Sequence, residues 1–285
     1  MVTTKIQTIK KRDGREVEFD AYRIQNAVRK AFLANNISDE PLFESLAADA
    51  VRILEAKFIN EEEPQVTPTV ENIQDIVEIV LIQKGHVKIA RSYILYREKH
   101  KEIRQEKTLQ DIKAEKLVVA KSDGTQSVFN ADLIRYRIEK VAFGLEKIST
   151  VELLDEICKT VYNGIPTAEI RALLVNAAKN RFEDHYQYSN LSARFVLDDL
   201  YEDVLSTHIF DDRHLEKAYQ DHFAAYIDKG IALDLLTPEL KKFDLQKLAH
   251  AIDPSRDLLF FFLGVQTIAD RYLLKEQNGE KKLEK

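Results

Sequence analysis

Near the start of the chain, apolar and polar residues alternate, and Ile6, Ile9, Val17 and Phe19 fall on either side of Asp13-Gly14. A period of two around an Asp-Gly pair predicts a β-hairpin, because glycine takes positive φ at little cost. The period then changes. Ile24, Ala27, Val28, Ala31 and Phe32 recur at helical spacing and predict one amphipathic helix with a single buried stripe. A second helix is expected near 40–58, with Leu42, Leu46, Ala50, Ile53 and Leu54 inward. The stretch "INEEEPQVTPTVEN", with its prolines and consecutive glutamates, reads as a solvated loop. Thr69 or a neighbour is placed to cap a third helix carrying Ile73, Ile76, Val77, Val80 and Leu81. After Gly85 a fourth helix holds Ala90, Tyr93, Ile94 and Arg97, and is expected to fray into the charge-rich "REKHKEIRQEK".

The pattern then restarts. Val118, Val119, Asp123-Gly124 and Phe129 rebuild the hairpin, about 110 positions later. Ile134, Ile138, Val141, Ala142 and Leu145 rebuild the first helical stripe, and "TVELLDEICKTVY", "GIPTAEIRALLVNAAKNRF" and "SNLSARFVLDDLYEDVL" stand for the three helices after it. Ala90-Arg91 returns as Ala193-Arg194, so the second copy is a little shorter. A period this long marks a duplicated domain rather than a solenoid. The last part lacks a hairpin and reads as three helical segments, "LEKAYQDHFAAYIDKGI", "TPELKKFDLQKLAHAI" and "DLLFFFLGVQTIADRYLL". Its "LLFFFLG" is expected in the core of that part, with the alternative that some of it packs against a further domain. The fold class is mainly α: two hairpin-plus-four-helix units, then a small all-helical one.

Composition narrows the chemistry. The 285 residues carry a net charge of -6, which disfavours wholesale nucleic-acid binding but not one local basic site. Cys158 is the single cysteine, so an internal disulfide and a cysteine-based zinc site are excluded; it is expected as a small core residue in a cytoplasmic protein. No run approaches the ~20 apolar residues of a membrane span, and the N-terminus lacks the apolar core of a signal peptide. The seven histidines show no metal-ligand spacing. The adjacent pairs Asp198-Asp199 and Asp211-Asp212 are expected to diverge on a helix rather than converge. No glycine is followed by lysine, which rules out a P-loop.

A hairpin carrying "KRDG", then Phe, then four helices ending in "YILYRE" resembles the ATP-cone, a nucleotide-binding regulatory domain. Residues 1–104 resemble an intact ATP-cone, 105–115 a linker and 116–205 a second, degenerate cone. Residues 206–285 resemble the helical domain that precedes the catalytic barrel of ribonucleotide reductase large subunits. The resemblance implies an allosteric activity-regulating region of a ribonucleoside-diphosphate reductase. ATP or dATP, with Mg, would be its effector, acting through dATP-dependent self-association and contacts with the rest of the large subunit and the radical-generating small subunit. With one cysteine and no barrel, this chain is not expected to reduce ribonucleotides itself, and no catalytic residue is assigned. The alternative is a structural or protein-interaction module with both cones inactive. Class I and class II reductases stay equally open.

A triphosphate carries about three to four negative charges and needs clustered cations. Lys11 and Arg12 beside the turn, Arg23 on the next helix and Lys99 on the fourth could supply them, with Phe19 and Ile24 offering an apolar surface. The resemblance implies the same set of nucleotide contacts: Lys11 and Arg12; the run Val17, Glu18, Phe19, Asp20, Ala21, Tyr22, Arg23 and Ile24; and Lys99. Some cones carry Thr and His on the third helix where this chain has Val70 and Gln74. In the second copy Arg12 becomes Ser122, Arg23 becomes Leu133, and the lysine place turns acidic near Glu202, although Lys121, Thr167 and Arg171 remain. That copy is expected to be a spacer or interaction surface.

Overall fold

The computed structural model describes residues 4–12, 15–59, 66–210 and 215–274. Its contacts divide the chain into two compact units, Met1–Leu117 with Tyr162–Ile165, and Val118–Val161 with Pro166–Lys285. The fold is mainly α, two hairpin-and-helix domains followed by helices alone.

In the first unit β1 (Thr8–Lys10) and β2 (Glu16–Glu18) pair antiparallel, Ile9 opposite Val17. The Lys11 N–H closes the turn on the Arg15 carbonyl at 2.8 Å; Asp13-Gly14 of that turn lie outside the described residues, as do residues 60–65 of the expected loop. Four helices follow: α1 (Ala21–Leu33), α2 (Glu40–Phe58), α3 (Val70–Gln83) and α4 (Val87–Lys113). Local chemistry fixes their starts. Asp20 and Asp39 cap α1 and α2, and Thr69 forms a reciprocal capping box with Asn72 on α3. Lys10 bridges to Thr69, and its N–H donates to the Pro68 carbonyl at 2.9 Å, which ties the hairpin to the start of α3. Phe19, Ile24, Val28, Phe32, Phe43, Leu54, Val77 and Leu81 meet in one core. Each such side chain contributes about 1.5–3 kcal/mol by leaving water.

The expected fraying after Arg97 does not occur: α4 is one helix of 27 residues, and the segment read as a linker is its last turns. The stretch is built from Glu, Lys, Arg and Gln, all good helix formers, with charges at helical spacing such as Lys101 to Glu98 at 3.8 Å. Glu115, at φ 54°, ends it.

The second unit repeats the plan. β3 (Val118–Ala120) and β4 (Gln126–Val128) pair with Val119 opposite Ser127, and Lys121 N–H meets the Thr125 carbonyl at 2.8 Å, the counterpart of Lys11 and Arg15. Gly124 takes φ +80° in this turn. Pro166 ends β5 (Ile165–Pro166) in the sheet order β4-β3-β5 and precedes a helix as Thr69 does. The helices are α5 (Ala131–Val141), α6 (Thr150–Thr160), α7 (Thr167–Lys179) and α8 (Gln187–Leu205). Cys158 is buried on α6, and burial pushes its thiol above the usual range.

After α8 come α9 (Leu215–Ala232), α10 (Leu245–Ala251) and α11 (Phe262–Thr267), with 3-10 turns at Pro238–Lys242 and Pro254–Leu259. Helix α8 packs α7 on one side and α11 on another, so it is buried nearly all round, from Leu191 to Tyr201. The expectation for "LLFFFLG" needs correction. Phe262 is buried, but Leu259, Phe261 and Leu263 are 76%, 53% and 74% exposed. A 3-10 turn and a short helix interrupt the run, so consecutive apolar residues point in different directions and only one in each turn reaches α8.

Candidate functional site

The contiguous part of the expected site converges. A cleft of about 650 Å³ in the first unit is lined by Lys11 and by every residue from Val17 to Arg23. This lies within the range that holds a small ligand. The hairpin supplies Lys11, Val17 and Glu18; the start of α1 supplies Ala21, Tyr22 and Arg23. Asp20 has a structural task here as well, since its carboxylate accepts from the Tyr22 N–H at 3.0 Å and caps α1. Arg23 has only a loose contact to the same Asp20, at 3.6 Å, and its side chain is 72% exposed. Ile24 points the other way and is buried in the core.

Arg12 and Gln74 form a second cluster. The Arg12 Nε sits 2.5 Å from Glu71 Oε1, and its Nη2 donates to Gln74 Oε1 at 3.1 Å. The hairpin is thus held to the first turns of α3 by a side chain as well as by its backbone. Val70 is half-buried against the core, and Lys99 is exposed on α4. Among the described residues no side-chain hydrogen bond or ion pair joins Lys99, Val70 or Lys11 to Arg12, Glu71 or Gln74.

Two residues missed in the sequence belong here. Glu71 is the partner of Arg12. Arg104, one heptad beyond Arg97 on α4, lies within the field of Arg12; partial burial and that neighbouring charge hold it below the usual arginine range. The signal was the spacing Arg97 to Arg104 on one helix face, lost when the helix was expected to fray. Arg97 itself is committed to Asp75 at 2.8 Å and Glu78 at 3.0 Å, joining α3 to α4. Burial pushes the Tyr93 hydroxyl beside it up to about 12.

In the second unit Arg171 and Arg137 are matched internally. Arg171, in the place of Gln74, reaches Asp203 and Glu202 at 2.9 Å each and Asp199 at 3.5 Å. Burial opposes its charge, but these carboxylates outweigh it and hold Arg171 above the usual range. Arg137 reaches Asp198 at 2.8 Å and Asp199 at 2.6 Å. The expectation that this acidic pair diverges is therefore corrected: one forked guanidinium spans both. Burial pushes the Asp199 carboxyl up despite its two arginines. Leu133 stands 65% exposed where the first copy has Arg23, and Thr167 donates to the Ala120 carbonyl at 3.2 Å. Asp211-Asp212 lie outside the described residues.

Among the described residues no cluster of His, Cys, Asp and Glu is arranged to hold a metal ion, and no helix is long and apolar enough to cross a membrane. Comparison with known proteins gives the family. The ATP cone domain matches twice, over residues 7–102 and 117–203. The ribonucleoside-diphosphate reductase subunit alpha of Chlamydia muridarum is 32% identical over 274 residues, covering 92% of this chain and 26% of that protein. The subunit alpha of Helicobacter pylori strain 26695 is 31% identical over 57% of this chain and 20% of its own length. The vitamin B12-dependent ribonucleoside-diphosphate reductase of Thermoplasma acidophilum is 39% identical over 38% of this chain and 14% of its own. The chain thus spans about a quarter of the length of this Chlamydia muridarum subunit. With two matched domains, each a hairpin over four helices, the chain belongs to the ATP-cone family.

Proposed function

We propose that this chain is the nucleotide-responsive region of a ribonucleoside-diphosphate reductase large subunit, and that its first cone takes ATP or dATP with Mg. One observation carries the reading: the first cone sets Lys11 and Arg23 on a ligand-sized cleft, with Arg23 held only loosely by Asp20 at 3.6 Å, whereas the second cone holds Arg137 and Arg171 closely on its own carboxylates. Lys11 and Arg23 would meet phosphate, and the apolar edge from Val17 to Phe19 would meet the base. Lys99 and the α3 positions Val70 and Gln74 would come in from the helices beneath. The nucleotide would bring its own Mg. The domain boundaries 1–104, 116–205 and 206–285 belong to the same proposal, as does a cytoplasmic location.

A bound nucleotide regulates only if it prefers one assembly over another. The reading therefore includes a dATP-favoured oligomer and docking to the rest of the large subunit and the small subunit. The reduction chemistry would belong to the remainder of the enzyme. The alternative, a structural module, fits the second cone alone. Isothermal calorimetry with ATP and dATP tests the proposal. Lys11→Ala is expected to weaken binding about tenfold or more, the loss of one charge-assisted contact of about 1.5–3 kcal/mol. Unchanged affinity in Lys11→Ala and Arg23→Ala, or no heat with either nucleotide, refutes the site.

A further inference from the structure

The Arg12–Glu71 pair joins the hairpin to α3 beside the cleft, and no residue of the second copy repeats it. Arg12 is a basic residue of the hairpin, yet its guanidinium does not line the cleft. It is turned onto Glu71 at 2.5 Å and Gln74 at 3.1 Å, on the first turns of α3. Both partners are accessible, with side chains 39% and 50% exposed, so the contact is made in water and is weak enough to exchange. Arg104 adds a second positive charge near Arg12. The backbone tie from Lys10 to Pro68 and Thr69 already fixes the hairpin on α3. The ion pair is therefore not needed to hold the hairpin in place.

We infer that Glu71 is an internal competitor for the phosphates: it occupies Arg12 when the cone is empty and must give it up, or face the phosphates, when a nucleotide arrives. The inference rests on the proposal that the first cone binds an adenine nucleotide. Whichever path is taken, the carboxylate opposes a polyanion. If Arg12 leaves, the Arg12–Glu71 attraction is lost. If Arg12 stays, the carboxylate charge lies close to the incoming phosphates. The penalty rises with phosphate number, so Glu71 sets both affinity and the preference among mono-, di- and triphosphates. Substitution by glutamine keeps an acceptor for Arg12 and removes the charge.

Calorimetry on the full chain with AMP, ADP and ATP tests this. Glu71→Gln is expected to tighten ATP about two- to fivefold, the size of an exposed ion pair, with a smaller gain for ADP and the smallest for AMP. The gain is expected to shrink at high salt. A structural role for Glu71 at the start of α3 predicts the opposite pattern: equal effects on all three nucleotides, or weaker binding. Either result overturns the inference. If the parent chain binds no nucleotide, the functional reading itself fails. If it binds and Glu71→Gln does not tighten it, only the competitor role fails.

Discussion

Asp198→Asn removes one charge from the second unit without changing shape, and its cost follows from four contacts. The Asp198 carboxylate is almost fully buried. It accepts from Arg137 Nε at 3.0 Å and from the Ile209 N–H at 3.0 Å, and it faces His208 Nδ1 at 3.2 Å, while Arg137 Nη2 lies 2.8 Å away. An amide has one acceptor oxygen. Whichever way the introduced amide turns, its NH2 must face either the Arg137 guanidinium or the Ile209 N–H, donor against donor. Breaking a buried pair costs about 3–5 kcal/mol, and Arg137 keeps Asp199 at 2.6 Å, so the expected loss is about 2–4 kcal/mol. Hydrogen-exchange mass spectrometry separates this unit from the other. Peptides covering α8 and residues 207–210 should exchange about 30- to 1000-fold faster, at about 1.4 kcal/mol per tenfold, with α1 to α3 unchanged. Protection of those peptides within about threefold of the parent refutes the reasoning, as does an equal loss in the first unit.

Two further outcomes test the site from other sides. Tyr93 has its folded-state pKa raised by burial from 10.0 to about 12, so its neutral form contributes stability that is complete below about pH 10 and is lost as pH rises towards 12; Tyr93→Phe should flatten that alkaline loss in urea titrations, and an unaltered slope counts against it. Placing arginines in the second copy (Ser122→Arg with Leu133→Arg) in a Lys11→Ala background should add no nucleotide heat beyond that of Lys11→Ala alone, because Asp199, Glu202 and Asp203 remain near Arg171; an additional ATP site in that variant refutes this.

Much of the fold was legible because it is local. The two hairpins follow from a period of two around Asp-Gly, and caps at Thr69, Asp20 and Ser149 lie within a few residues of the helices they start. The run Val17 to Arg23 falls together in one cleft for the same reason, since the hairpin's return strand and the start of α1 are continuous in sequence. Charge runs and apolar runs misled. "REKHKEIRQEK" is polar because its helix is solvated, not because it frays, and "LLFFFLG" is apolar without being one buried element. Side-chain pairs between distant elements were out of reach. Glu71 lies 59 positions from Arg12, and Asp198 lies 61 from Arg137, with no periodicity linking them.

That last pair changes what degeneracy means in the second copy. Ser122 and Leu133 stand where the first copy has Arg12 and Arg23, and that difference alone would leave an empty version of the first cleft. Aligning the hairpins and the Ala-Arg pairs puts Arg137 at the place of Ala27, and Asp198-Asp199 at the place of Leu95-Tyr96. In the first copy two of those positions, Ala27 and Tyr96, border a groove of about 300 Å³ between α1 and α4, lined also by Ala31 and the ring of Tyr93. In the second copy the same interval is crossed by a guanidinium held on two carboxylates. Asp198 also accepts the Ile209 N–H, so α5, α8 and the start of the helical part share one buried charge. A single substitution cannot produce this arrangement, because Arg137 without Asp198, or the reverse, would leave a buried charge without its main partner. The second copy thus holds a buried ion pair on three segments where the first copy keeps a groove.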